Sequence, residues 1–217
     1  MSAASAAGIL PPARTENPAA PADFPGAYYH QQVALGNKIL RIDSLHSLVI
    51  IEVHRAGVLS RLGHDHVVAS RNVNGYASMS AGVADLYVPL DKLVVDEPGL
   101  RTAAGFNTQP SQQDIEGTRR NMLTRTLDTG HFPYALIHVA RADADRQNLQ
   151  VMITLHGMMR SYEVPAQFET VPGGISVAGR MSFKQSDFGI TPLSVLGGAL
   201  RVQDQLDLRF HILAQGN

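Results

Sequence analysis

The sequence predicts an all-β fold, an extended antiparallel barrel of eight strands with one inserted helix. Three observations predict it. Apolar residues recur with period two through most of residues 38–217. Turn residues separate these runs at short intervals. One segment alone switches to helical spacing. Closure into a barrel removes the exposed strand edges that would otherwise promote aggregation.

In chain order, residues 1–37 come first and read as a tail. "MSAASAAGILPPARTENPAAPADFPG" is rich in Ala and Pro and is expected to be flexible and partly extended. A secretory signal has a basic start followed by about 7–15 apolar residues. Here Arg14 is the first basic residue, Ser5 interrupts the apolar run, and Pro11 and Pro12 stop it. The segment as written therefore does not read as a signal. The folded domain is placed at 38–217.

The first strand is clearest at Ser47–His54. Val49, Ile51 and Val53 share one face; His46, Leu48, Ile50, Glu52 and His54 share the other. Less regular strands are expected at Val67–Met79, Ala84–Val95 and Ala135–Ala140. In Leu149–Leu155, Val151 and Ile153 lie on the apolar face with Leu149 and Leu155. Tyr162, Val164, Ala166 and Phe168 alternate with polar neighbours and Pro165, as do Ile175, Val177, Gly179, Met181 and Phe183 with theirs. The closing strand sets Leu200, Val202, Leu206, Leu208, Phe210 and Ile212 against Arg201, Gln203, Gln205, Asp207, Arg209 and His211, with Asp204 a polar intruder on the apolar face. Asp143–Asn148 and Pro172–Gly174 read as hairpin loops.

The helix is expected over residues 112–127. Ser111 and Asp114 resemble a capping box, and Ile115, Met122, Leu123 and Leu127 recur at helical spacing before Gly130 and Pro133. Arg119, Arg120 and Arg125 form either a solvated face or a set of cations at a barrel end.

Composition narrows the function classes. With 44 % hydrophobic residues the chain can build a sizeable core. A net charge of −1 offers no basic excess for nucleic acid. Without cysteine there is no disulfide, thiolate nucleophile or cysteine-ligated metal. No apolar run is long enough for a membrane-spanning helix. The G-x-S-x-G elbow and Gly-rich phosphate loops are absent as well.

The apolar strand faces admit two readings. They pack on one another in a filled barrel or sandwich, or they line a cavity. An eight-stranded barrel is just wide enough to be filled by side chains or to hold one small ligand. The chain has no Trp and few other aromatics to plug the interior, which favours room for an aliphatic guest.

Several segments resemble the YceI-like family, the lipocalin-like polyisoprenoid-binding proteins. "RIDSLHSLVIIEVHRAGVLSRLGHDHVV" resembles that family's first strand and corner. "TRTLDTGHFPYALIHVAR", "LQVMITLHGMMRSYEVPAQF", "GRMSFKQSDFGI" and "VQDQLDLRFHI" follow in the family's order, so the likeness runs from Lys38 to Ile212. The resemblance implies a lipocalin-like barrel around an apolar cavity, a long isoprenoid chain as ligand, and no other cofactor. It also implies a bacterial source, a periplasmic location with the cytoplasm as alternative, and a homodimer. The expected ligand-binding residues are Val49, Ile51, Val53, Met122, Leu127, Val151, Ile153, Met181, Phe183, Leu206, Leu208 and Phe210. On this reading the protein is a carrier and not an enzyme.

The rival reading is a metal-binding protein or metal-dependent hydrolase built on Gly63-His64-Asp65-His66. In an extended segment His64 and His66 share a face and can chelate a divalent ion, with His54, His46 or His30 as third ligand. The alternative is a corner after Gly63, with Asp65 accepting backbone N–H groups. His46 and His54 are too far apart along a strand to share a ligand. His156 reads as part of a turn and His131 as a surface residue.

Overall fold

The computed structural model describes residues 19–141 and 148–216. Eight strands form a closed antiparallel ring. Three are interrupted: β1 (Ile39–Ile42 and Leu48–Val53), β2 (His66–Ser70 and Asn74–Ser78) and β3 (Val83–Pro89 and Val94–Val95). The others are β4 (Tyr134–Arg141), β5 (Asn148–Leu155), β6 (Met158–Val171), β7 (Gly174–Lys184) and β8 (Gln205–Gln215). Each strand pairs with the next, and β8 returns to β1 through Leu208↔Ile51 and Arg41↔Gln215.

The interruption in β1 is a bulge held to β8 at Leu213. Asp43 donates its N–H to the Leu213 carbonyl at 2.8 Å, and the Ser47 hydroxyl accepts the Leu213 N–H at 3.0 Å. Such a bulge bends the strand and increases its twist, which helps a sheet to close. The β5–β6 hairpin turns on His156 (φ 52°) and Gly157 (φ 73°). Two successive positive φ values are the two-residue turn that matches strand twist, so His156 does belong to a turn. The β6–β7 hairpin turns at Pro172–Gly173. Of the loop expected at Asp143–Asn148, residues 143–147 lie outside the described residues.

Among the described residues three α-helices accompany the barrel. α1 spans Gly26–Ala34, α2 Pro98–Ala103 and α3 Gln112–Asn121. α3 starts on a complete capping box: the Ser111 Oγ accepts the Asp114 N–H at 3.2 Å, and Asp114 Oδ2 accepts the Ser111 N–H at 3.0 Å. The helix expected over 112–127 is α-helical only to Asn121; Met122–Thr126 widens into a π-turn. Arg119 is not a free cation there. It donates to the main-chain carbonyls of Asp91 at 2.6 Å and Leu93 at 3.2 Å, fastening α3 to the third strand.

Two segments depart from the sequence expectation. The stretch 19–37, a tail by its composition, contains α1, whose Tyr29 is wholly buried. Tyr29 donates to Asp85 Oδ2 at 2.7 Å and stacks on Tyr76, while Phe24 meets Tyr87 edge-on. Tyr76, Asp85 and Tyr87 alternate with residues that line the interior, so the segment covers the outside of the barrel. Burial, with the Asp85 carboxylate beside it, pushes the Tyr29 phenol well above its usual range. The second departure is the closing strand, which is not continuous from Leu200. Leu200–Val202 instead joins Arg55–Ala56 and Ser194–Val195 in a small three-stranded sheet. Asp204 marks the break. It accepts the Ser186 N–H at 2.8 Å and the Ser186 hydroxyl at 2.6 Å, so it never faces the apolar side.

Candidate functional site

The inward faces of the eight strands enclose a lumen of about 390 Å³, within the range of about 300–1,000 Å³ typical of small-molecule sites. All eight strands contribute apolar side chains to its wall, from Ile42 and Val49 on β1 to Ile212 and Ala214 on β8. The alternation explains this: residues i and i+2 point inward together, and nearly every inward position carries an aliphatic group.

All twelve residues singled out from the sequence lie on this wall. Val49, Ile51 and Val53 come from β1, Val151 and Ile153 from β5, Met181 and Phe183 from β7, and Leu206, Leu208 and Phe210 from β8. Met122 and Leu127 come from the π-turn and the residue after it; Leu123 is not on the wall. The register brings distant residues side by side: Leu208 faces both Met181 and Ile51, and Phe210 faces Val49. The sequence expects strands at Ala84–Val95 and Ala135–Ala140, but its wall residues include none from the second, third, fourth or sixth strands, which supply Val68, Ala77, Ala84, Leu86, Val88, Ala135, Ile137, Val139 and Phe168. The period-two alternation of the third and fourth strands was present but shorter and less regular.

One end of the lumen is richer in polar groups. There β1 ends, β2 begins, and the end of α3 with the π-turn after it crosses the opening, placing Thr118, Met122 and Thr126 on the wall. His66 opens β2 on the inward side, in phase with Val68 and Ser70. Its Nδ1 lies 2.6 Å from Asp96 Oδ2. Asp96 is buried at the end of the third strand, where its Oδ1 accepts the Val67 N–H at 3.0 Å and a bond from Arg101 Nη1 at 2.5 Å. Arg101 is itself buried, and it also donates to the carbonyls of Asp65 and Thr108, each at 2.6 Å. Burial alone would push the Asp96 carboxyl up; bonds from His66, the Val67 N–H and Arg101 outweigh it and hold the group below the usual carboxylate range. Asp96 has φ 59°, a strained value held by these contacts. Asp96 and Arg101 were not flagged from the sequence, because nothing in their spacing relates them to His66.

The Gly-His-Asp-His stretch forms the predicted corner. Asp65 Oδ1 accepts the Arg55 N–H at 2.9 Å, and the Arg55 guanidinium reaches the Gly63 carbonyl. The His64 and His66 rings stand 6.3 Å apart between centroids. His46 pairs with Asp43 and His30 approaches Tyr76, both away from this corner, while His54 sits between Asp65 and Asp207. Among the described residues no group of three or more His, Asp or Glu side chains converges to hold a metal ion. His131 is on the surface, beside Asp128.

A closed antiparallel barrel around an apolar lumen, with a helix across one end, defines a lipocalin-like protein. More narrowly, the chain belongs to the YceI-like family, whose domain matches residues 41–214. Its fold is similar to that of a polyisoprenoid-binding domain from Saccharophagus degradans implicated in plant cell wall breakdown. That likeness has a TM-score of 0.57 at 13 % identity and covers 82 % of this chain and 98 % of the other. It is also similar to BcnA of Burkholderia cenocepacia, with a TM-score of 0.54 at 13 % identity over 79 % and 98 % of the two chains. No curated protein sequence matches the chain. The match to the family domain begins after α1.

Proposed function

We propose that the protein is a non-enzymatic carrier that shelters one long isoprenoid chain, a quinone tail or a polyprenyl lipid, in the barrel lumen. The observation that carries this reading is the continuous apolar wall drawn from all eight strands. Its family and the polyisoprenoid-binding relative point the same way. Each CH₂ group moved from water into such a wall contributes about 0.8 kcal/mol. Ten to fifteen groups then contribute roughly 8–12 kcal/mol, against several kcal/mol for ordering the chain. The chain's polar head belongs at the His66 end. There an imidazole braced by Asp96 offers a hydrogen bond within an otherwise greasy wall. The carrier needs no catalytic residue. The metal-dependent alternative has no specific observation in its favour, since His64 and His66 converge with no third ligand among the described residues.

Native mass spectrometry of freshly purified protein, alone and mixed with a long-chain polyprenol, tests the proposal. Retention of an isoprenoid mass is expected in the wild type, and loss of it in Phe183→Arg and Leu208→Arg. Wild-type protein that retains no polyprenol, or arginine variants that fold and retain it unchanged, would refute the proposal.

A further inference from the structure

The small three-stranded sheet beside the lumen has an outer surface the carrier reading does not use. Two loops meet there. Leu59 donates its N–H to the Ala199 carbonyl at 2.8 Å, and Gly63 packs against the Leu200 side chain. Five apolar side chains project outward from this pair: Val58 (89 % exposed), Leu62 (70 %), Leu196 (66 %), Val195 (39 %) and Leu59 (38 %). Exposing such a cluster is unfavourable in water, and a clustered apolar patch marks an interaction site.

Backbone strain adds to the oddity. Leu196 has φ 53° and is followed by Gly197 and Gly198, both at positive φ. Left-handed backbone suits Gly or Asn, yet the first of these positions carries a leucine held out into solvent.

The charge around the patch is of one sign. Residues 57–63 and 193–202 include Arg61 and Arg201, both exposed, and no Asp or Glu. Nearby carboxylates have partners of their own: Asp65 accepts the Arg55 N–H, Asp204 accepts from Ser186 and Asp207 accepts from the Ser182 hydroxyl. Leu193, just before Ser194–Val195, and Val202 lie on the lumen wall, so the patch is the outer side of a segment that covers the lumen.

We infer that this face docks onto the surface of an anionic lipid bilayer, with the apolar tips entering the headgroup region and Arg61 and Arg201 meeting lipid phosphates. Apolar tips flanked by cations match an interface that is greasy below and negative above. A second copy of the chain fits less well. A two-fold contact would set the patch against itself and leave the arginines of both copies facing a surface whose segments carry no carboxylate. The inference rests on the carrier reading only for its purpose, since docking places the lumen cover against the source of the isoprenoid.

The test is co-sedimentation of the full chain with phosphatidylcholine vesicles, with and without phosphatidylglycerol. The wild type is expected to sediment with the anionic vesicles and to be released by salt. Val58→Asn/Leu196→Asn removes two tips and gives the left-handed position a residue that tolerates it, so its melting temperature is expected to hold while vesicle binding falls more than tenfold. Arg61→Gln is expected to lower binding about fivefold, the equivalent of one cation at an anionic surface. Wild-type protein that stays in the supernatant with both vesicle types overturns the inference. So does a concentration-dependent dimer that the double variant abolishes while vesicle binding is unchanged. Polyprenol retention, followed in parallel by native mass spectrometry, is expected to be equal in wild type and double variant. Its absence from both, with vesicle binding intact, would refute the carrier reading and leave the docking face standing.

Discussion

Filling the lumen from its own wall separates a sheltered chain from one bound elsewhere. Ala135 on β4 lies inside the barrel, opposite Val88 in the register, and its methyl group leaves space beside it. Ala135→Phe adds six carbons without adding charge or removing a hydrogen bond. Those carbons displace about four to six carbons of a bound chain, at about 0.8 kcal/mol each. The expected loss is about 3–5 kcal/mol, a weakening of roughly 150- to 4,000-fold. The protein itself should tolerate the change. Overpacking a filled core costs about 1–3 kcal/mol, but here the ring enters open space. The assay is calorimetric or mass-spectrometric titration with polyprenol, paired with a thermal melt. Affinity unchanged within a few-fold in a variant with an unaltered melt would show that the chain does not occupy the lumen at β4.

Three further outcomes follow from particular contacts. Asp96→Asn should destabilise the protein at neutral pH, and its deficit should shrink as the solution is acidified. The folded carboxyl of Asp96 is held low, so its stabilising contribution is present above the unfolded value near 4 and is lost as pH falls through the folded value. Urea titrations at neutral and acidic pH measure this, and a deficit that grows with acid would contradict it. Ser111→Ala removes the acceptor of the α3 capping box and should cost about 1 kcal/mol, roughly 2–4 °C in melting temperature. Tyr29→Ala should release α1 from the barrel wall. Amide exchange within 26–34 should accelerate about a hundredfold, the equivalent of roughly 3 kcal/mol, while the strands stay protected.

Much of this architecture was legible before any coordinates, and the reasons are local. A strand's side chains alternate by geometry, so Val49-x-Ile51-x-Val53 and Leu206-x-Leu208-x-Phe210 announce an inner face wherever the strand is placed. Ser111 and Asp114 announce a helix start because the capping box lies within one turn. Asp65 after Gly63 announces a corner for a similar reason: its acceptor reaches the backbone of a neighbouring loop, at Arg55.

What alternation could not decide is whether the inner faces meet or stand apart. That depends on how many strands close the ring and on how far each side chain reaches across it, and the same pattern serves a packed barrel and a hollow one. The Asp96–His66–Arg101 cluster was hidden for a related reason, because its link to His66 runs between strands thirty residues apart in the chain. The helix at Gly26–Ala34 looked like tail because its partners, Tyr76, Asp85 and Tyr87, lie some fifty residues away. The sequence by itself therefore determined which side of each strand is apolar and where the chain turns. Only the tertiary structure decided that the apolar sides enclose a space, since a cavity belongs to the distances between elements and no single element encodes them.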